Sequence, residues 1–469
     1  MSPRKRQRKA QHACNGQAIF SGLSSNRRRR GRRDANRRGD SSARFRFHKD
    51  HIPFGTPRRV VAIDTLRELR EERPGFLALA ALLVAFHLAY PAVDWWLRAA
   101  DIAPEFRFWD FGAYSGAVER WQAGESLYVR SDGGYHGSYL YPPVVVLLFV
   151  PFVAFVPTEW AAVAWALVSL ALLWAGVVAV VEALVGRRSW PERVGLLWLL
   201  LGFQPLLFGL KMGQTAAFMT GMLCIAFVAL DRGDRAGYLS GAATAVVGVV
   251  KFAYAPVGAH LLADRRRFLG AVAVGTGLLA ASLALFGVAS HREYLDVLAW
   301  GVTQGGVARS PALWLPAYYR PLGLVDGALW LRVAASLAVA GYALCARDAD
   351  REVFALGVAA FPLVTPLAYT YYFVALVPAA AILIAGELAR DGYPAVPTLG
   401  LGLVSVHAYG LLGLVTLLSS TPVAAYPNAY FLAQPGLWGD LLLAGTAAVR
   451  VGETVERPTG FPLLSREEG

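Results

Sequence analysis

The sequence predicts an all-α, polytopic integral membrane helix bundle. The chain has 469 residues, of which 56% are hydrophobic and only 17% are charged, and its mean hydropathy is +0.43. Its apolar runs repeatedly approach the roughly 20 residues that a helix needs to cross a bilayer. Because lipid leaves no partner for an unpaired backbone group, runs of this length are expected to be helices. No internal repeat is visible in the sequence.

Twelve apolar segments predict about 11 to 13 transmembrane helices. They lie near residues 76–97, 143–157, 159–186, 194–211, 213–230, 237–262, 268–289, 328–346, 352–367, 371–388, 395–419 and 437–450. The first segment, Phe76–Leu97, is long enough to span, and no small-residue cleavage site stands out after it. We therefore interpret it as a retained span and not as a secretory signal.

The positive charge of the chain is concentrated at its N-terminus. Residues 1–73 hold 21 of the 45 Lys and Arg but only 7 of the 33 Asp and Glu, a balance of +14, whereas the whole chain carries +12. The Arg-rich blocks lack periodic apolar residues, so we expect a disordered tail. We interpret it as a cytoplasmic leader that touches anionic headgroups, without a nucleic-acid partner. A start near Val60 or Val61 is an alternative.

A cytoplasmic N-terminus assigns sides to the loops by the positive-inside rule. The first loop, residues 98–142, and the second large loop, residues 290–327, are then both extracytoplasmic. The basic loops at 263–268 and 345–352 are then inside, as the rule prefers. A multi-span domain of residues 74–453 would precede a short C-terminal tail of residues 454–469.

The loop at residues 186–193 does not fit this alternation, since it would be outside despite three arginines. Two explanations remain open. Either a neighbouring segment is re-entrant, or the run at 237–262 is a broken pair that turns at Lys251.

The only lysines outside the tail are Lys211 and Lys251, and both lie in or beside apolar segments. A lysine near the middle of a bilayer costs about 2.5 to 3.5 kcal/mol, so it usually faces a cavity or an anionic partner. Snorkelling from a helix end to the interface is the alternative. The three cysteines are far apart in sequence and form neither a disulfide framework nor a metal-ligand spacing.

The first loop contains the strongest catalytic candidate, Asp110. It lies between Trp109 and Phe111 near the start of a predicted short helix, and Tyr114 follows on the same helical face. A carboxylate held against aromatic rings is partly desolvated, which raises its basicity towards that of a general base. Capping the helix is the alternative role.

Other acidic residues of this loop are weaker candidates. Glu119 and Glu125 fall in a hydrophilic stretch, where a solvated helix face is the expected environment. Asp101 and Glu105 lie on either side of Pro104 at the membrane edge and are second choices.

The second loop offers two arginines, Arg309 and Arg320, close to the membrane surface. A guanidinium forms bidentate contacts with phosphate oxygens, so these residues could bind a lipid phosphate. Anchoring to bulk headgroups explains each of them almost as well.

The chain contains the segment WDFGAYSGAVERWQAGESLY followed by YLYPP, and then Gly213-Gln214, a segment from Gly248 to Lys251 with Pro256, and TPLAYTYYFVALVP at residues 365–378. In this order the segments resemble the motifs of glycosyltransferase family 87, a group of GT-C fold membrane mannosyltransferases that use a polyprenyl-phosphate sugar. The first two segments are similar to the first signature of that family. The resemblance covers about residues 76 to 390.

The resemblance implies a GT-C-like bundle in which Asp110 is the catalytic base. Where relatives have a histidine in the late segment, this chain has Tyr371 or Tyr372, so Arg or Lys would have to supply the cation for the phosphate. The residues then expected to bind substrate are Tyr114, Tyr141, Gln214, Lys251, Arg309, Arg320 and Tyr371.

The implied activity is an inverting transfer of a hexose, mannose in the family, from a polyprenyl-phosphate donor to a glycolipid or glycan hydroxyl on the extracytoplasmic face of the cell membrane. A lipid phosphate is already a good leaving group, so we expect no cofactor and no obligatory metal. A transporter or flippase is the alternative class, motivated by the intramembrane lysines and broken helices. Against it stand two substantial outer loops and no detectable inverted repeat. A non-catalytic membrane subunit is a third possibility.

Overall fold

The structure is a computed structural model of the full chain. It describes residues 67–101, 107–131, 134–135, 137–230, 232, 234–306, 318–319, 321, 328–346, 348–365, 368–422 and 433–455. The chain divides into two units, Met1–Ile63 and Asp64–Gly469. The first unit, which includes most of the predicted basic tail, lies outside the described residues, so its disorder and its side of the membrane stay predictions.

The described part of the second unit is almost entirely helical, which confirms the all-α class. The α-helices are α1 Pro74–Ala99, α2 Trp109–Gln122, α3 Val150–Phe155, α4 Thr158–Val185, α5 Trp190–Leu201, α6 Gln204–Met212, α7 Ala216–Leu230, α8 Asp234–Val250, α9 Arg265–Gly306, α10 Ala328–Cys345, α11 Asp350–Val364, α12 Leu376–Ala389, α13 Ala395–Ser405, α14 His407–Ser419 and α15 Pro435–Thr454. Three 3₁₀ helices are η1 Pro143–Leu148, η2 Phe252–Ala263 and η3 Thr370–Ala375. Two short strands, β1 Tyr318–Tyr319 and β2 Ala368–Tyr369, pair antiparallel.

Among the described residues, five helices are long and apolar enough to cross a membrane, which confirms a polytopic membrane protein. They are Pro74–Ala99, Glu159–Val185, Arg265–Gly301, Ala328–Cys345 and Thr370–Ala389. The bent pair α5 and α6 would make a sixth crossing if it counts as one span. Several other predicted spans are short apolar helices, such as Ala216–Leu230 and Ala395–Ser405, so the number of 11 to 13 crossings stays a prediction.

The helices are interrupted at both places that could explain why the 186–193 loop does not fit the alternation of sides, namely next to this loop and at Lys251. Helices α5 and α6 meet at an angle of 73°. At this bend a Cβ on Gly202 would lie 1.7 Å from the carbonyl oxygen of His87, so glycine allows α1 to approach closely. The second break follows Val250, where Lys251 is extended with φ −152° and ψ 107° before η2 begins. The run at 237–262 is therefore a broken pair.

The arginines of the 186–193 loop are partly neutralised by nearby carboxylates. The guanidinium of Arg193 donates to Glu182 Oε1 at 2.7 Å, and the backbone N–H of Arg188 donates to the same oxygen at 3.1 Å. Glu192 lies 3.6 Å from the Arg188 guanidinium. The net positive charge around this loop is therefore smaller than its three arginines alone would give.

A set of ion pairs joins several helix ends on one face of the bundle. Arg267 at the start of α9 pairs with Asp350 at the start of α11. Further pairs are Arg390–Glu352 at 2.6 Å, Arg73–Asp391 at 2.8 Å and Arg450–Glu387 at 2.6 Å. The loops 263–268 and 345–352, which the charge rule assigned to one side, therefore do share a face.

We expect Glu387→Gln to destabilise the bundle. The Glu387 side chain is 2% exposed and accepts two bonds from Arg450, at 2.6 and 2.7 Å. Glutamine removes the charge from this buried acceptor and weakens both bonds, at a cost of about 1.5 to 3 kcal/mol, while Arg450 keeps Glu453 as a partner. Thermal unfolding in detergent measures the effect.

Glu453→Gln is the matched control. Glu453 contacts the same arginine at 2.5 Å, but its side chain is 52% exposed, so the loss should stay below about 1 kcal/mol. If the two variants lost equal amounts of unfolding free energy, burial of the Glu387 pair would not explain its importance.

Candidate active site

Helix α2 begins at a strained residue that fixes the position of Asp110. Phe108, just before the helix, has a left-handed φ of 54°, which a bulky residue rarely adopts. Its backbone N–H donates to the carbonyl of Lys211 at 2.8 Å. This bond ties the start of α2 to the end of α6. It thereby places Asp110 beside the turn that carries Gln214.

Asp110 is the second residue of α2 and does not cap the helix. The cap position belongs to Phe108, and no side-chain cap hydrogen bond is present there. The carboxylate of Asp110 instead accepts a hydrogen bond from Nε2 of Gln214. Asp110 is only partly buried, so the residue retains some exposed surface.

Two tyrosines hold the other end of the Gln214 amide. The Tyr114 hydroxyl donates to Gln214 Oε1 at 3.2 Å, and the Tyr141 hydroxyl lies 3.4 Å from the same oxygen. Tyr141 also lies 3.2 Å from the hydroxyl of Thr215. Because Oε1 accepts from hydroxyls, the NH₂ group of the amide must face Asp110. The tyrosines act within the protein here; their predicted contact with substrate stays a prediction.

A glycine allows Gln214 to approach α2. Gly213 ends α6 with φ 75°, and a Cβ at this position would lie 2.7 Å from Cβ of Phe111. Both the left-handed backbone and the close approach therefore require glycine. Trp165 supports the turn by donating from Nε1 to the carbonyl of Gly213 at 3.0 Å.

Lys251 supplies a positive charge on the other side of the site. Its Nζ contacts the hydroxyl of Tyr372 and lies 3.8 Å from the centre of that ring. The same atom is 5.5 Å from the centre of the Tyr141 ring, which is a cation–π distance. Its charge also acts on Asp110. The break in the helix at Lys251 thus brings a cation close to the carboxylate.

The pKa of the Asp110 carboxyl is raised above its ordinary value. Burial raises this pKa, whereas the hydrogen bond from Gln214 and the charge of Lys251 oppose the increase. Burial also raises the pKa of the Tyr114 and Tyr141 hydroxyls, so both remain protonated donors. Asp110 is therefore a stronger base than an exposed carboxylate.

The two neighbouring tyrosines of the late segment have different contacts in the site. Tyr371, the predicted ligand, is buried, stacks on Tyr369 at 5.2 Å and packs against Phe208 of α6 at 5.8 Å. Tyr372 is the one that contacts Lys251. Sequence analysis could not separate them, because only the turn of η3 decides which ring faces the lysine.

The two predicted outer loops contact each other. The ring centres of Tyr128 in the first loop and Tyr294 in the second are 6.1 Å apart, and Trp121 of the first loop packs on Phe286, just before the second loop, with ring centres 5.3 Å apart. Residues 290–306 of the predicted second loop are helical and follow the break at Gly287. Strand β1 extends the connection to the late segment by pairing Tyr318–Tyr319 with Ala368–Tyr369. Arg309 and Arg320 lie outside the described residues.

The remaining charged candidates have other environments. Glu119 and Glu125 are exposed, as expected for a solvated face, and Asp101 is also exposed, whereas Glu105 lies outside the described residues. Lys211 pairs with Asp94, a buried residue of α1 that sequence analysis did not single out. This pair links α6 to α1. No metal-binding group of three or more His, Cys, Asp or Glu occurs in the described parts of the chain, and the expected independence from metal stays a prediction.

Comparison with known proteins identifies the central part of the chain. The model of glycosyltransferase family 87 matches residues 139–366. This match confirms the predicted family for the matched residues and supports a glycosyltransferase. No curated protein and no solved structure matches the chain.

The family 87 region contains only part of the candidate site. Tyr141, Gln214 and Lys251 lie inside the matched residues, whereas Asp110 precedes them and Tyr371 follows them. Asp110 is nevertheless connected to the region through its hydrogen bond with Gln214. The geometry, and not the extent of the match, therefore associates the carboxylate with the family 87 residues.

The pH dependence of transfer should report the pKa of Asp110. Only the deprotonated carboxylate can accept a proton, so kcat/KM should fall as pH decreases through that raised pKa. Gln214→Leu removes a hydrogen bond that lowers the pKa, so the acidic limb of the profile should move to higher pH.

Gln122→Leu is the matched control for this measurement, because Gln122 is exposed at the end of the same helix α2. Its profile should superimpose on that of the wild type. An acidic limb that stays in place in Gln214→Leu would show that Asp110 does not control the profile.

Proposed function

We propose that this protein is an inverting, GT-C type hexosyltransferase of the cell membrane. It transfers mannose from a polyprenyl-phosphate donor to a hydroxyl group of a glycolipid or glycan. The reaction occurs on the extracytoplasmic face, and the N-terminus is cytoplasmic. The observation that carries the proposal is the partly buried carboxylate of Asp110, which lies outside the candidate spans. It is oriented by a hydrogen bond from Gln214, a residue inside the family 87 match.

In the proposed reaction, Asp110 is the general base. The acceptor hydroxyl oxygen attacks C1 of the sugar, and an Asp110 oxygen takes the hydroxyl proton as the new C1–O bond forms. The bond between C1 and the phosphate oxygen breaks on the opposite side, and its electron pair leaves with the polyprenyl phosphate. A single displacement of this kind inverts the configuration at C1.

Gln214 positions this base and does not itself react. One amide hydrogen bond holds the Asp110 carboxylate in place, while the hydroxyls at Gln214 Oε1 prevent the amide from flipping. A neutral donor lowers the carboxyl pKa less than an ion pair would. The carboxylate is thus oriented without losing the basicity that burial gives it.

Lys251 is the cation that supports departure of the phosphate. Negative charge develops on the phosphate oxygens as the bond to C1 breaks, and an ammonium group stabilises that charge without a metal. Its contact with Tyr372 orients Nζ. Arg309 and Arg320 remain proposed additional phosphate ligands from the second outer loop.

The proposal predicts that Asp110→Asn preserves folding but lowers transfer by about 10² to 10⁴-fold. An asparagine retains the size of the side chain and an oxygen that can accept from Gln214, but it cannot take the proton. The assay is transfer of label from polyprenyl-phosphate mannose to acceptor in membranes with and without the protein. The exposed Glu119 of the same helix provides the control Glu119→Gln, for which we expect a mild effect. Near wild-type transfer by folded Asp110→Asn would remove the base assignment.

Lys251→Met should lower kcat and raise the donor KM, so that kcat/KM for the donor falls by about ten- to a hundredfold, the usual loss for one charge-assisted contact. It should change the acceptor KM much less. Lys211→Met is the matched control, because Lys211 pairs with Asp94; it should lower the melting temperature and leave the donor KM unchanged. An unchanged kcat/KM for the donor in Lys251→Met would shift the phosphate site to Arg309 and Arg320.

A further inference from the structure

Arg332 is a buried cation of a membrane-spanning helix that the proposed reaction does not use. It is the fifth residue of α10, Ala328–Cys345, and only 5% of its surface is exposed. Its Nε is buried and has no hydrogen-bond partner. No carboxylate of the described residues forms an ion pair with it, in contrast to the paired Arg193, Arg267 and Arg450.

The position of Arg332 on α10 shows that it faces the protein and not the lipid. The buried residues of α10 are Ala328, Arg332 and Ala343, which lie on one side of the helix. Large apolar residues such as Trp330, 77% exposed, and Leu337, 66% exposed, occupy the opposite side. Arg332 therefore does not run along the lipid-facing side of α10.

The depth of Arg332 can be inferred from the direction of the helices. Helix α10 packs mainly on η2, and both elements end on the face where Arg267 pairs with Asp350. Both therefore begin on the opposite face, where η2 follows Lys251. Arg332 is about 6 Å along α10 from this end. It lies near the level of the candidate site.

A second buried polar group at this level also lacks a partner. Tyr254, the third residue of η2, is 1% exposed, and its hydroxyl has no hydrogen-bond partner. Buried polar groups and charges in proteins are normally satisfied. A cation kept in a membrane helix without a protein partner usually faces a ligand. At the headgroup level of a membrane, lipid phosphates are the anions that are always available.

We propose that Arg332 binds the phosphate group of a membrane lipid at the outer end of η2. The planar guanidinium presents paired N–H donors that match two phosphate oxygens. A bulk anion or a water molecule would satisfy these donors less well than a phosphate group. The lipid-linked sugar donor fits this site because Lys251 begins the same η2; this part of the inference rests on the proposed function. An ordinary phospholipid offers the same phosphate chemistry.

The test compares the stability and lipid binding of Arg332→Met in detergent. Without added lipid, this variant should unfold at the same temperature as the wild type or higher, because an unpaired buried charge is lost. Polyprenyl monophosphate should raise the midpoint of the wild type, and its apparent affinity should be about ten- to a hundredfold weaker in the variant. Arg292→Met is the control, because Arg292 is exposed in α9; it should bind as the wild type does.

Two further arms identify the source of the phosphate. If phosphatidylglycerol binds the wild type much more weakly than polyprenyl monophosphate does, the site belongs to the sugar donor. If the two lipids bind equally well and both lose affinity in Arg332→Met, the site binds ordinary phospholipid. Inorganic phosphate alone should give no shift at the same concentration. Unchanged lipid affinity in Arg332→Met, or a clearly lower melting temperature without lipid, would overturn the proposal. Asp110→Asn should still bind the lipid while losing transfer, so failure at Arg332 would leave the proposed function intact.

Discussion

The hydrogen bond between the Gln214 amide and the Asp110 carboxylate is the interaction on which the rest of the site depends. It joins the start of α2, which precedes the family 87 region, to the turn after α6 inside that region. Tyr114 and Tyr141 fix the orientation of the amide from behind. The carboxylate is therefore held in place by a neutral donor, with the Lys251 charge nearby, and burial keeps its pKa above the ordinary value.

The site is assembled at breaks in the helices. Gln214 follows a left-handed glycine, Lys251 is extended between α8 and η2, and Phe108 adopts a strained conformation before α2. Irregular backbone in a membrane protein is tolerated only where protein surrounds it or water can reach it. Strain of this kind is typical of functional sites. These breaks place an acid, an amide and a cation together, which continuous helices would separate.

The sequence predicts the class of fold and several site residues because polar groups stand out in an apolar chain. Asp110, Gln214 and Lys251 are brought together as one cluster, although they are more than 100 residues apart from first to last. The sequence cannot predict that Tyr372 and not Tyr371 contacts the lysine, since this depends on the rotation of η3. Apolarity alone also does not separate a full span from a short or 3₁₀ helix, so the span count exceeds the number of long helices described.

The anomeric configuration of the product tests the central claim most directly. A polyprenyl-phosphate sugar of known configuration, supplied to the purified protein with an acceptor, gives a glycoside whose C1 configuration can be read by nuclear magnetic resonance. If Asp110 is a general base for a single displacement, the configuration at C1 is inverted. A product that retains the donor configuration would contradict this account, because it requires a covalent intermediate or a different chemistry.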